Sequence, residues 1–372
     1  MKLLRLLVVP LALVVVGWMR WHGRVRIGQL WSGRLGHLIG NTECYLCERD
    51  VGRHAGYLDI WYSRGVSANG VIERRYKRTL HTGPGWLLDV VVRVNRLWVG
   101  WERFEVAARQ FDRDVDNLWI SHAPHIGFSG WDAWRGRRLE RKLGIGGKWV
   151  CLMVRDGAYL REHGEFGYHD YRDSDVADYR LAVEEVLERG YWVVRMGAKV
   201  DRPFHVEHPH YVDYASSGQR SEFGDLWLGA NCAFCLGTST GFTSIPHAFG
   251  RPVVYVNHAP LEYSPTFYDK ALVIWKHHQK DGKRMTLAEI FGSGAGQFTA
   301  AQQFAAAGIT LQDNSPEEIR AAVVEQLEGV GSEPQPEFWD AFPLQAISPY
   351  NGEPLHGQPR MRIGREFLKG YE

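Results

Sequence analysis

The sequence predicts an α/β protein with two Rossmann-like domains, each a doubly wound parallel sheet. Three observations carry this expectation. Short apolar or β-branched runs alternate with segments of helical length through most of the chain, the order that places strands in parallel with helices on both faces. Two strand-to-helix passages run through glycine-bearing turns, one at Ser32 to His37 and one at Gly237 to Gly241. The chain has 372 residues, which is long for one domain and holds two of ordinary size.

Composition narrows the function classes. A net charge of +1 excludes broad nucleic-acid binding driven by phosphate neutralisation. The 15 tryptophans serve cores, membrane interfaces and sugar-stacking surfaces alike, so they decide nothing alone. Cys44 and Cys47, and Cys232 and Cys235, have the spacing of zinc ligands. The second pair falls in an expected strand, where positions three apart face opposite ways. The first pair shares a helix face, where buried thiols behave as small apolar groups. A reduced, cytoplasmic protein without a zinc site follows. His205, His208 and His210 lie among Pro, Glu and Asp and read as a solvated loop.

In chain order, Leu6 to Met19 is almost purely apolar, with Lys2 and Arg5 before it and Arg20, Arg24 and Arg26 after it. It falls short of the ~20 residues that cross a bilayer comfortably, and Pro10 interrupts it. Trp18, Trp21 and the basic flanks read as a membrane anchor or interfacial helix over residues 1–22, a single span being the alternative. A first domain over 23–145 opens with a strand at Val25 to Trp31, a turn that sets His37 near a helix N-terminus, and a helix from Leu38 to Cys47. Tyr57 to Tyr62 is a second strand, and Trp86 to Trp98 fits helix or strand, its length favouring an apolar helix. From Glu102 to Gly147 no period emerges, and Gly144, Gly146 and Gly147 mark the connection to the next domain.

The second domain, 146–330, is more regular. Lys148 to Val154 is a buried strand ending at Arg155 and Asp156. Asp173 or Ser174 caps a helix to Leu187, and Tyr191 to Arg195 is the next strand, followed by Gly197 and Lys199. Tyr211 to Tyr214 is a strand, and Ser221 to Leu228 a helix. Ala233 to Leu236, the turn Gly237-Thr238-Ser239-Thr240-Gly241, a helix over Phe242 to Phe249 and the strand Val253 to Val256 form one βαβ unit. Ser315 to Glu318 is a capping box that opens a helix to Leu327. Residues 331–372 read as a tail.

Ligands of such sheets bind beyond the strand C-termini. Arg155, Asp156, Arg195, Lys199 and the 237–241 turn all lie there. Free backbone N–H groups and a helix dipole suit the turn to a phosphate, with Ser239 and Thr240 adding hydroxyl donors. The alternatives are an ordinary helix cap for the turn and a surface cation for Arg195.

The combination of RIGxxxxxRLGHL at Arg26 to Leu38, VRDxxYL at Val154 to Leu160, YRDSD at Tyr171 to Asp175, VVRMG at Val193 to Gly197, GTSTG at Gly237 to Gly241, Pro246 and PVVYVN at Pro252 to Asn257 is more specific than any one motif. It resembles a bacterial family classed as glycosyltransferases of the GT-B type, over most of residues 24–290. The resemblance implies two Rossmann-like domains facing a central cleft, with acceptor on the first and nucleotide-sugar donor on the second. It implies phosphate binding by Arg155, Arg172, Arg195, Gly197, Lys199, Gly237, Thr238, Ser239, Thr240 and Gly241, with no metal and no other cofactor. His37 is the expected general base and Asp156 its competitor; the alternatives are a structural histidine and an ion pair with Arg155 or Arg172. Asp173-Ser174-Asp175 has the form of a metal-binding DxD but reads as a helix cap. The expected activity is sugar transfer to a glycan or lipid-linked acceptor in cell-surface polysaccharide synthesis, at the cytoplasmic face of the bacterial inner membrane. A nucleotide-sugar epimerase or a non-catalytic sugar-nucleotide-binding protein are the alternatives.

Overall fold

The computed structural model describes residues 2–106, 114–157, 170–329, 335–347 and 352–371, with side chains from Val8 onward. It divides into two compact units. Unit 1 is Met1–Arg113 with His122–Gly127, and unit 2 is Asp114–Ser121 with Phe128–Glu372. The division precedes the glycine-rich stretch expected to mark it. Gly144, with φ +75°, instead turns the chain between a helix and a strand inside unit 2.

Unit 1 runs α1 (Lys2–His22), β1 (Val25–Leu30), α2 (Leu35–Asp50), β2 (Leu58–Ser63), α3 (Gly70–Thr79), β3 (His81–Thr82) and α4 (Gly85–Asn95). Its strands pair in parallel in the order β1-β2-β3. Alternation along the strands feeds two layers. Val25, Ile27 and Tyr62 join a core with Ala12, Val16 and Met19 of α1 and Leu88 and Val91 of α4. On the other face Gly28 lies over the Trp61 ring, where a Cβ would come within 2.7 Å. Trp61 in turn meets Tyr45 of α2 edge-on at 4.5 Å. Asp59 on this face accepts from Arg26 Nε at 2.7 Å and from the Tyr45 hydroxyl at 2.8 Å.

The N-terminal helix differs from the expected anchor. Ala12, Val16 and Met19 recur at helical spacing and are fully covered by the unit 1 core, so one face of α1 is structural. No helix among the described residues is long and apolar enough to cross a membrane.

Unit 2 begins its regular structure with α5 (Gly130–Lys142), β4 (Trp149–Met153), α6 (Arg180–Glu188), β5 (Trp192–Arg195) and β6 (Tyr211–Asp213). It continues through α7 (Glu222–Asn231), β7 (Phe234–Gly237), α8 (Ser244–Ala248), β8 (Val253–His258) and β9 (Ala271–Trp275). A small antiparallel sheet of β10 (His277–Lys280), β11 (Lys283–Arg284) and β12 (Ile309–Gln312) follows. The helix over Pro316–Glu328, α9, starts at the Ser315/Glu318 capping box. The main sheet is completed by β13 (Arg362–Ile363), and its order is β13-β9-β8-β7-β4-β5-β6, with every pairing parallel. The residues expected to be a tail therefore supply an edge strand beside β9. Two residues carry too little pattern to be read as a strand.

β4, β7, β8 and β9 are buried on both faces, which explains their continuous apolar character. From β4 the chain builds outward through β5 and β6, then returns to lay β7 on the other side of β4. The strand order thus reverses between β4 and β7, the place where α/β sheets open a crevice at their C-terminal edge.

Candidate functional site

The rim of unit 2 is built at that reversal. β7 ends at Gly237, where a Cβ would stand 1.8 Å from the Met153 carbonyl oxygen at the end of β4. Only glycine permits this approach. It brings the Thr238 N–H within 3.0 Å of the same oxygen, and the Thr238 hydroxyl accepts from the Arg155 N–H at 2.9 Å. Beyond Ser239 the chain enters a 3₁₀ turn (Gly241–Thr243) and then the five-residue α8. Together they match the one or two helical turns expected over Phe242 to Phe249, and so short a helix has a modest dipole, so cationic side chains matter more at this rim.

Those cations come from the segment before α6. Arg172 Nη2 donates to the Ser239 carbonyl at 2.9 Å and lies 3.2 Å from its hydroxyl. Arg155 Nε donates to Asp173 Oδ1 at 2.9 Å. Burial nonetheless holds the Asp173 carboxyl above its ordinary range, outweighing the arginine. Asp175 is engaged differently, capping the Ala177 N–H at 3.0 Å. The cap is therefore Asp175, on the 3₁₀ turn Val176–Tyr179, and not Asp173 or Ser174 as expected, because Asp173 is taken up by Arg155 and Ser174 by Asp313.

Four residues that sequence reasoning missed hold this segment in place. Lys276, nearly buried just past β9, reaches the Asp173 carbonyl and Asp313 Oδ1, each at 2.6 Å. Ser174 donates to Asp313 Oδ2 at 2.9 Å and accepts from Asn257 Nδ2 at 2.6 Å. Asn314 accepts from the Asn257 N–H at 2.6 Å and donates to the Trp275 carbonyl at 2.8 Å. The strand-end rule that selected Arg155 selects Lys276 equally, since it follows the buried run Ala271 to Trp275.

The remaining expected residues are placed as follows. Arg195 is buried at 3% exposure, with Nη1 on Asp213 Oδ2 at 3.2 Å and Nη2 on the Arg202 carbonyl at 2.7 Å. Its guanidinium ties the ends of β5 and β6 together. Gly197 has φ +158° and Lys199 is exposed in the same loop. Asp156 Oδ2 accepts the Asp201 N–H at 2.8 Å, joining the loops after β4 and β5. His37 is half-buried in the first turn of α2, at the C-terminal edge of unit 1's sheet, with its ring 6.0 Å from that of Trp31. In unit 2 the structure brings together Arg155, Arg172, Thr238 and Ser239.

Unit 1 also contains a cluster that no local motif announces. His125 Nδ1 lies 2.6 Å from Glu43 Oε2 and its Nε2 lies 2.9 Å from Asp50 Oδ2. The Tyr76 hydroxyl donates to Glu43 Oε1 at 2.7 Å. Burial opposes a charge on this imidazole, but hydrogen bonds and charge from Glu43 and Asp50 outweigh it and raise its pKa. Among the described residues, Glu43, Cys47 and His125 also have ligand atoms within 4.8 Å of one another. A proton shared between imidazole and carboxylates already satisfies these groups, and His125 fastens its segment to α2.

No protein-family model matches the sequence, and no curated protein matches it. Among solved structures, a family 9 glycosyl transferase from Veillonella parvula aligns with 82% of this chain and 98% of its own length, at 11% identity and a TM-score of 0.50. The ADP-heptose LPS heptosyltransferase II of E. coli aligns with 67% of this chain and 90% of its own, at 13% identity and a TM-score of 0.44. At such identities the likeness is one of fold. What this chain shares with the Veillonella parvula structure is a mixed α/β fold with parallel sheets.

Proposed function

We propose that the chain is a glycosyltransferase that moves a sugar from a nucleotide-activated donor to a glycan or lipid-linked acceptor. The observation that supports it most is the unit 2 rim, where the 238–241 turn, the Arg155 backbone N–H and the Arg172 guanidinium converge on the strand-order reversal. A donor's phosphates placed there meet backbone N–H groups, hydroxyls and cations together. The acceptor oxygen bonds to the anomeric carbon as the bond from that carbon to the phosphate oxygen breaks. The nucleotide leaves with the electron pair, and the rim stabilises its charge. His37 takes the proton of the acceptor hydroxyl, with Asp156 as the second candidate base. Lys199 adds positive charge, while Arg195 supports the loop that carries it. We assign the reaction to cell-surface polysaccharide synthesis at the cytoplasmic face of the bacterial inner membrane. An epimerase on the same fold uses the phosphate rim but has no need of an acceptor side.

Calorimetry against a panel of nucleotide sugars, followed by assay of nucleotide release, tests the reading; binding of none of them refutes it. Arg172→Ala should weaken donor binding by about 1.5–3 kcal/mol through loss of a charge-assisted contact and of the support to Ser239. Unchanged affinity in the folded variant would remove Arg172 from the site. Because cations and N–H groups serve the leaving phosphate in this scheme, transfer should continue in a chelator. Loss of activity in EDTA that manganese restores would instead implicate Asp173 and Asp175.

A further inference from the structure

The outer face of α1 is as apolar as the face it buries. Leu11, Val14, Trp18 and Trp21 recur at spacings of three, four and three, forming one exposed stripe opposite Ala12, Val16 and Met19. Trp21 is 84% exposed and Val14 69%. A second apolar element stands beside the end of this helix. The three residues Leu97, Trp98 and Val99 follow α4, and Leu97 and Val99 are 80% and 96% exposed. Arg20 joins the two, donating to Asn95 Oδ1 at 3.1 Å and to the Val99 carbonyl at 2.8 Å, with its guanidinium 6.0 Å from the centre of the Trp98 ring. The tip is thereby fixed beside the C-terminal end of α1, where Arg20 adjoins the exposed Trp21 in sequence.

The charge of α1 has one sign. α1 contains Lys2, Arg5 and Arg20 and no acidic residue, and the exposed Arg24 follows it. Tryptophans favour the boundary between hydrocarbon and headgroups, aliphatic tips favour the acyl region, and arginines favour phosphate. A second copy of this chain would set the same cations against each other. We infer that unit 1 docks on an anionic phospholipid bilayer through the α1 stripe and the Leu97–Val99 tip, lying in the interface and not crossing it. This rests on the membrane-facing part of the proposed function and gives it a surface; a lipid-linked acceptor would then be met where it is presented.

The test is flotation of the full chain with vesicles of phosphatidylglycerol and phosphatidylethanolamine, compared with vesicles of phosphatidylcholine alone. The chain should float with the anionic vesicles and much less with the neutral ones. The double variant Trp21→Glu, Val99→Glu should lose about tenfold or more of its vesicle binding, since carboxylates enter the interface poorly. Both positions face solvent, and an unchanged Tm confirms folding; Val14→Ser, Trp18→Ser is a second pair with the same expected direction. Nucleotide-sugar affinity should be unchanged in both. Equal flotation of wild type and variants, or no flotation of wild type, overturns the inference. So does a lipid-free wild type that sediments as a dimer and becomes monomeric in the variants, because a second copy then covers the face. Vesicle binding without any donor binding leaves docking intact and removes the transferase reading.

Discussion

Gly237→Ala should disrupt the C-terminal edge of unit 2 as a whole and not just a single ligand contact. The added methyl would stand 1.8 Å from the Met153 carbonyl oxygen. That oxygen has little freedom to retreat, because it accepts from Thr238 and sits in a strand paired on both sides. Gly237 is paired with Met153 on one side and Tyr255 on the other. Relief requires β4 and β7 to part at their ends, which also releases Thr238 from the Arg155 N–H. A loss of about 3 kcal/mol is expected, at the upper end for overpacking because backbone must move. It should appear as a lower urea midpoint together with loss of donor binding. A variant with wild-type midpoint and affinity would show that the close approach of the two strands is dispensable.

His125→Ala should cost about 3 kcal/mol, a loss expected when one partner of a buried ion pair is removed. Glu43 has no solvent exposure, and Tyr76 serves only one of its two oxygens. The sign of the pH dependence follows from the raised pKa. His125 titrates above its ordinary 6.5 in the folded state, so its contribution is complete below that value and is lost as pH rises through the folded pKa. The difference in unfolding free energy between wild type and His125→Ala should therefore be largest in mildly acid solution and shrink towards alkaline pH. A difference that grows with pH would mean the imidazole is not held as a cation between Glu43 and Asp50.

What could be read from the sequence depended on whether the signal was local. The Gly237–Gly241 turn was legible because small residues separate two apolar runs of strand length, and the observed strands fall within a residue or two of the expected ones. The Ser315 capping box located its helix for the same reason. α5 escaped notice because its packing face is made by a glycine. A Cβ on Gly136 would come within 2.0 Å of the Trp227 ring, while Trp131 and Trp134 stack on one another on the exposed side. An apolar period cannot show a face built that way. The placement of Arg195 was not legible either, since a strand-end cation can turn towards a ligand or towards a neighbouring loop, and only Asp213 and Arg202 decide which. His125 and Glu43 are 82 residues apart and meet through tertiary structure alone.

The two-faced packing of α1 bears on how this protein can be handled at the bench. Trimming the chain at residue 22, the usual remedy for a greasy N-terminus, would strip Ala12, Val16 and Met19 from the side of α4 and leave Leu88 and Val91 facing water. The shortened protein would trade one sticky surface for a larger one and aggregate. A well-behaved preparation is better sought by recolouring the outer stripe with polar side chains while every residue of the inner one stays as it is.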